Sequence, residues 1–208
     1  MNKLIKLPVM LFATLALSLN SCSNNSEGNT EKEADKRNEE NLPNTMETDA
    51  KYVVDAYVDG MIEVRMAERV KDLLTTQEAK DVANMMITDH TALGNEMRAI
   101  ATQKQISLPT ELTKNQQDDI DDVAGETGID MDKDYLDKAV SMHRDGIDLF
   151  EKAIEKVNDA EVKAVFSAGL PKLVHHLDMA KAARETVKNM SKNKNYKNDK
   201  SNAVGGRG

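Results

Sequence analysis

Between residues 48 and 190, apolar side chains return every three or four positions, the period of an amphipathic helix. The first stripe is Val53, Ala56, Gly60, Glu63, Ala67, Val70 and Leu74, and it predicts a helix near Thr48 to Leu74. Thr75-Thr76-Gln77-Glu78 ends that helix and opens the next, with Thr75 and Glu78 at the spacing of a capping box. The second stripe is Val82, Met86, His90, Leu93, Met97 and Ile100; it runs to about Gln105, and Ser107-Leu108-Pro109 stops it. A third, Tyr135, Ala139, His143, Ile147, Phe150, Ile154 and Val157, predicts a helix near Asp132 to Val157. Asn158-Asp159 makes a tight turn, and a fourth stripe follows to about Met190: Val162, Phe166, Gly169, Leu173, His176, Ala180, Ala183 and Val187. Pro171 falls inside this last run, where it is expected to kink the helix or mark a later start.

About two dozen residues separate the second and third stripes, too many for a connection without structure of its own. Thr113 to Ala124 is expected to form a short helix, closed by Gly125 and Gly128. The fold class is therefore all-α: two helical hairpins joined by a long crossover containing a short helix, a four-helix bundle over residues 47–190. From Ser23 to Met46 only Ala34, Leu42 and Met46 are apolar, so residues 22–46 are expected to be a disordered tether. Residues 191–208, rich in Lys, Asn and Gly, are expected to be a disordered basic tail.

Each long stripe carries one polar residue at mid-length: Glu63, His90, His143 and His176. Glu63 and His90 are equidistant from the turn between them, and so are His143 and His176. An antiparallel bundle brings all four into one buried layer. Buried polar groups need partners, so the layer is either a metal site or a closed hydrogen-bond network that fixes helix register. Three imidazoles and a carboxylate can ligate Zn, Cu, Fe or Ni. Asp89 adjoins His90 and is a candidate acceptor orienting an imidazole from behind. Tyr135 lies two turns from His143, and its hydroxyl is expected to find a partner. Met66, Met86 and Met142 fall within about a turn of the layer; their thioethers suit Cu(I), or else they fill the core. A carboxylate-bridged di-iron oxidase wants Glu three residues before each His, and Ile87, Val140 and Leu173 stand there instead. No serine or cysteine lies beside the layer to act as a nucleophile. The reading leans away from an enzyme, toward a metal-binding domain or a scaffold with a structural polar layer.

Composition adds the address. Aromatics are only 3%, Trp is absent and there are 12 Met, which suits helices better than a β-sandwich. A net charge of −8 argues against nucleic acid as the partner. The chain opens with Lys3 and Lys6, then a mostly apolar run from Leu4 to Leu19, too short for a membrane span. Leu19-Asn20-Ser21-Cys22 resembles the lipobox of a bacterial lipoprotein signal. That resemblance implies cleavage after residue 21, acylation of Cys22 and membrane attachment through its lipid. Ser23, where an aspartate often retains lipoproteins in the inner membrane, points to the outer membrane.

Four segments also carry a family resemblance: Gly60-Met61-Ile62-Glu63-Val64, Met86-Ile87-Thr88-Asp89-His90, Asp132-Lys133-Asp134-Tyr135 with His143, and Leu170-Pro171-Lys172-Leu173-Val174-His175-His176-Leu177. Over roughly residues 48–187 they resemble the family named domain of unknown function 4142, a ferritin-like family of bacterial envelope proteins. Met131 stands where Phe is common and Ala139 where Met is common; both affect packing. The resemblance implies a ferritin-like bundle and brings no activity.

Overall fold

The computed structural model describes residues 29–193, so the expected signal segment 1–21, Cys22 and residues 194–208 of the expected tail lie outside the described residues. Among the described residues the chain is all-helical, with no strand. Its helices are α1 (Glu31–Asn41), α2 (Asn44–Val70), α3 (Gln77–Lys104), α4 (Lys114–Gly125), α5 (Gly128–Lys156) and α6 (Ala160–Lys192). The long helices α2, α3, α5 and α6 are the predicted stripes, and α4 is the predicted short helix, with Thr113 as its N-cap. α2 packs on α3 and α5, and α6 packs on the same two helices, so the long helices close a ring in the order α2, α3, α6, α5. Their stripes meet inside it: Val53, Val70, Val82, Met97, Phe166 and Val187 are all at most 2% exposed. Burying each such side chain is worth about 1.5–3 kcal/mol. Gly169 is required by this packing, since a Cβ there would lie 2.6 Å from Cε1 of Phe150.

Two buried aspartates lock the hairpins to each other. Asp132, early in α5, accepts hydrogen bonds from the Thr75 N–H (2.8 Å), the Thr76 N–H (2.7 Å) and the Thr75 hydroxyl (2.9 Å). Asp49, early in α2, accepts from the N–H groups of Asn158 (2.9 Å) and Asp159 (2.8 Å). Each aspartate thus caps the turn of the opposite hairpin. The start of α5 therefore lies at the α2–α3 turn, and the start of α2 at the α5–α6 turn. It follows that α2 and α5 are antiparallel and that residues 105–127 run the length of the molecule.

Several expectations need correction. The N-cap of α3 is Thr76, which accepts from the Ala79 N–H; the Thr75 hydroxyl is committed to Asp132, and with Ala79 at the third helical position the expected capping box does not form. Gly128 does not close α4 but opens α5, at φ 65°. α6 runs through Pro171 as one helix, with no later start, and takes in Ser191 and Lys192 from the expected tail. The largest departure is α1, in the segment expected to be a disordered tether. Ala34 is fully buried there, and the Asn38 side chain both donates to the Ser107 carbonyl (3.0 Å) and accepts from the Ser107 N–H (2.7 Å). The Asn29 side chain adds a bond to the Leu108 carbonyl (2.9 Å). The segment is ordered by amide groups pairing with the backbone of the crossover, together with the burial of Ala34 and the packing of Leu42 against the core.

Candidate metal centre

His90 from α3, His143 from α5 and His176 from α6 meet at the waist of the ring, all buried. Their ring centroids stand 5.2, 5.3 and 5.4 Å apart, nearly an equilateral triangle. Glu63 from α2 completes the expected layer at 8% exposure. Its position differs in kind from that of the histidines. One carboxylate oxygen lies 2.8 Å from Nδ1 of His90, and the other lies 3.0 Å from Nδ1 of His143. Glu63 therefore sits behind two imidazoles and does not share their inner face. Asp89 does the same for the third ring. Its side chain reaches across to α6, 2.8 Å from Nε2 of His176, and orients that residue instead of its neighbour His90.

These contacts fix the tautomers. Nδ1 of His143 faces the Glu63 carboxylate and also the Ala139 carbonyl, at 3.0 Å. A nitrogen between two acceptors must carry the proton, which leaves Nε2 as the lone-pair nitrogen of the neutral ring. Glu63 imposes the same tautomer on His90. The two Nε2 atoms then point at each other across 3.3 Å. Two lone pairs cannot face one another stably, so the space between them calls for a proton or a cation. On His176 the nitrogen not used by Asp89 is Nδ1, which is buried and has no partner. One nitrogen from each ring lies within 4.8 Å of the others.

The electrostatics follow from the same contacts. Burial alone would raise the Glu63 carboxyl, but the charge of His90 and the bonds from His143 and His90 outweigh it and hold Glu63 well below the usual carboxylate range. Burial pulls His90 down, and the charge and hydrogen bond of Glu63 more than reverse this, so His90 is raised. His176 is lowered, first by burial and then by the charges on His90 and His143, against the pull of Asp89.

Tyr135 is the exception to the expected pairing: its hydroxyl is buried and unpartnered. Burial, with the Glu63 charge nearby, holds its proton firmly. It lines a small void with Glu63, Met66, Met86, Ala139 and Met142. A separate groove of about 370 Å³ between α2 and α3 reaches His90, with Gly60 and Gly94 in its lining. His175 is exposed, its ring centroid 6.3 Å from that of His176.

A protein-family model described as "Domain of unknown function (DUF4142)" matches residues 34–183, which include every residue of the centre. No curated protein and no solved structure matches the chain. The match begins inside α1, so it takes in most of the helix that composition alone would leave in a tether. With well over half of its length covered, the chain belongs to the DUF4142 family.

Proposed function

We propose that this protein binds one transition-metal ion, Zn, Cu or Fe, through Nε2 of His90, Nε2 of His143 and Nδ1 of His176. The observation that carries the reading is that each of three buried rings brings one nitrogen within 4.8 Å of the others, while a carboxylate holds a nitrogen of every ring. Two nitrogens on one tetrahedral ion, each about 2.0–2.1 Å from it, stand about 3.3–3.4 Å apart. The 3.3 Å between the two Nε2 atoms fits that spacing. The third ring is looser, and a small tilt of His176 would close the set. A bound ion of this kind would supply Lewis acidity or, for Cu and Fe, one-electron chemistry. Glu63 and Asp89 hold the tautomers and orientations that leave the three lone pairs free, as carboxylates behind metal-ligating histidines do. Glu63 also balances the charge of the ion. We read the four long helices as a ferritin-like bundle and the domain as part of an envelope lipoprotein anchored through Cys22, without an assigned reaction.

The second reading is a scaffold lipoprotein whose layer is a structural network. It is favoured by the Glu63–His90 pair, because a proton on Nε2 of His90 could donate to Nε2 of His143 with no metal present. Metal analysis separates the two. The full-length mature protein, purified without an affinity tag, is offered Zn, Cu and Fe in turn and washed. The metal reading expects about one ion per chain for at least one metal, and loss of that ion in His143→Ala. Failure to retain any of the three would leave the network reading in its place.

A further inference from the structure

The void beside Glu63 is used by neither reading. We propose that it is a second site, specific for a soft monovalent cation such as Cu(I), held by the thioethers of Met66, Met86 and Met142. Three helices contribute these methionines: α2, α3 and α5. The void offers about 10 Å³ of room for the centre of a water-sized sphere, the lower limit for a single water or ion. A water is poorly served there, because it needs two to four polar partners. Both Glu63 oxygens are already engaged by histidines, which leaves the Tyr135 hydroxyl as the free polar group on the wall. A hard cation would want several oxygen ligands and finds the same shortage. Thioether sulfur is the ligand that favours Cu(I). The carboxylate of Glu63 lies on the wall to balance a single positive charge, and the unpartnered Tyr135 hydroxyl can turn its oxygen toward a cation.

Methionine commonly serves as an adaptable core filler. Here three of them line one small gap together with Glu63, Tyr135 and Ala139. Met66 and Met86 are each 2% exposed, whereas Met142 is half-buried and gives an ion a way in from the surface. This site does not depend on the three-histidine reading, although the two share Glu63 as a wall.

Silver(I), a redox-silent stand-in for Cu(I), tests the proposal. The full mature protein is labelled with ¹³C at its methionine methyls and titrated with Ag(I), while the imidazole signals are followed in parallel. The expected result is that three methyl resonances shift and saturate at one Ag(I) per chain; single Met66→Leu, Met86→Leu and Met142→Leu variants identify them. The triple leucine variant should bind Ag(I) at least tenfold more weakly and keep its Zn(II) uptake within threefold of wild type. If the methyls hold still while the imidazoles shift, silver occupies the histidine centre and the proposal fails. Unchanged Ag(I) affinity in the triple variant also overturns it. Should that variant not fold, the wild-type methyl titration decides. Absence of uptake of Zn, Cu and Fe alike at the histidines would overturn the three-histidine reading and leave the methyl readout standing.

Discussion

The polar groups buried at the ends of the ring and those at its waist are treated in opposite ways. At the ends, Asp49 and Asp132 are fully buried and all four of their oxygens accept hydrogen bonds, four of the five bonds coming from backbone N–H groups. At the waist, two Nε2 atoms face each other across 3.3 Å, and Nδ1 of His176 and the Tyr135 hydroxyl have no partner. The same helices therefore satisfy buried carboxylates completely where the purpose is to join the hairpins. Away from the waist, Nε of Arg184 is the one other buried side-chain nitrogen or oxygen without a partner among the described residues; the deficit at the waist surrounds the lone pairs that a cation would use. A buried polar atom without a partner calls for an explanation, and a ligand explains most of those at the waist together.

The difference can be broken most forcefully at the ends. Asp132→Ala orphans the buried Thr76 N–H and the part-buried N–H and hydroxyl of Thr75, and is expected to destabilise the protein by about 3–5 kcal/mol in urea unfolding, with or without metal. The corresponding change at the waist, His143→Ala, is expected to lower metal-free stability by only about 1–3 kcal/mol while abolishing metal uptake. Equal losses in the two metal-free variants would make the waist another clamp. Asp89→Asn weakens the acceptor behind His176 and is expected to reduce metal affinity about 10–100-fold, with little change in unfolding midpoint; unaltered affinity would remove Asp89 from the account. Tyr135→Phe deletes an unpartnered hydroxyl and is expected to leave stability unchanged or raise it by about 1 kcal/mol. A clear loss would reveal a partner for the hydroxyl.

The smallest expected effect is a pH dependence of the metal-free protein. His90 is raised in the fold, chiefly by Glu63 acting against burial. Its contribution is full below the unfolded value of about 6.5 and is lost as pH rises through the raised folded value. His176 is lowered, so it acts in the opposite sense and stability is lost as pH falls through the same unfolded value. Glu63→Gln removes the charge that raises His90 and should flatten the alkaline loss across pH 5.5 to 8.5, read from urea midpoints. An unchanged profile would mean that Glu63 does not hold a proton on His90.

Much of this was legible in the sequence because it is periodic. The long helices follow from apolar residues at threes and fours, and the waist follows because Glu63, His90, His143 and His176 interrupt those stripes at matching heights. What periodicity does not carry is direction. It places Glu63 in the layer, but only the side-chain geometry sets its two oxygens behind His90 and His143. Asp89 is legible as an acceptor behind an imidazole, but its place beside His90 does not say which one: adjacent helical residues point apart, and its carboxylate meets His176 on another helix. Asp49 and Asp132 were missed because a polar residue near a helix start reads as solvated, and their partners lie 109 and 57 residues away. α1 was missed for a related reason, since Asn38 holds it by pairing with the Ser107 backbone and leaves almost no apolar signal.

The central claim is that three imidazoles, with no carboxylate among them, face a single ion. X-ray absorption on the zinc-loaded mature protein counts those ligands directly. The account predicts a shell containing three histidine nitrogens at about 2.0–2.1 Å, with the multiple-scattering pattern of imidazole, falling to two in His176→Ala. A shell of two or fewer imidazoles in the wild type, or one dominated by carboxylate oxygen, would contradict it.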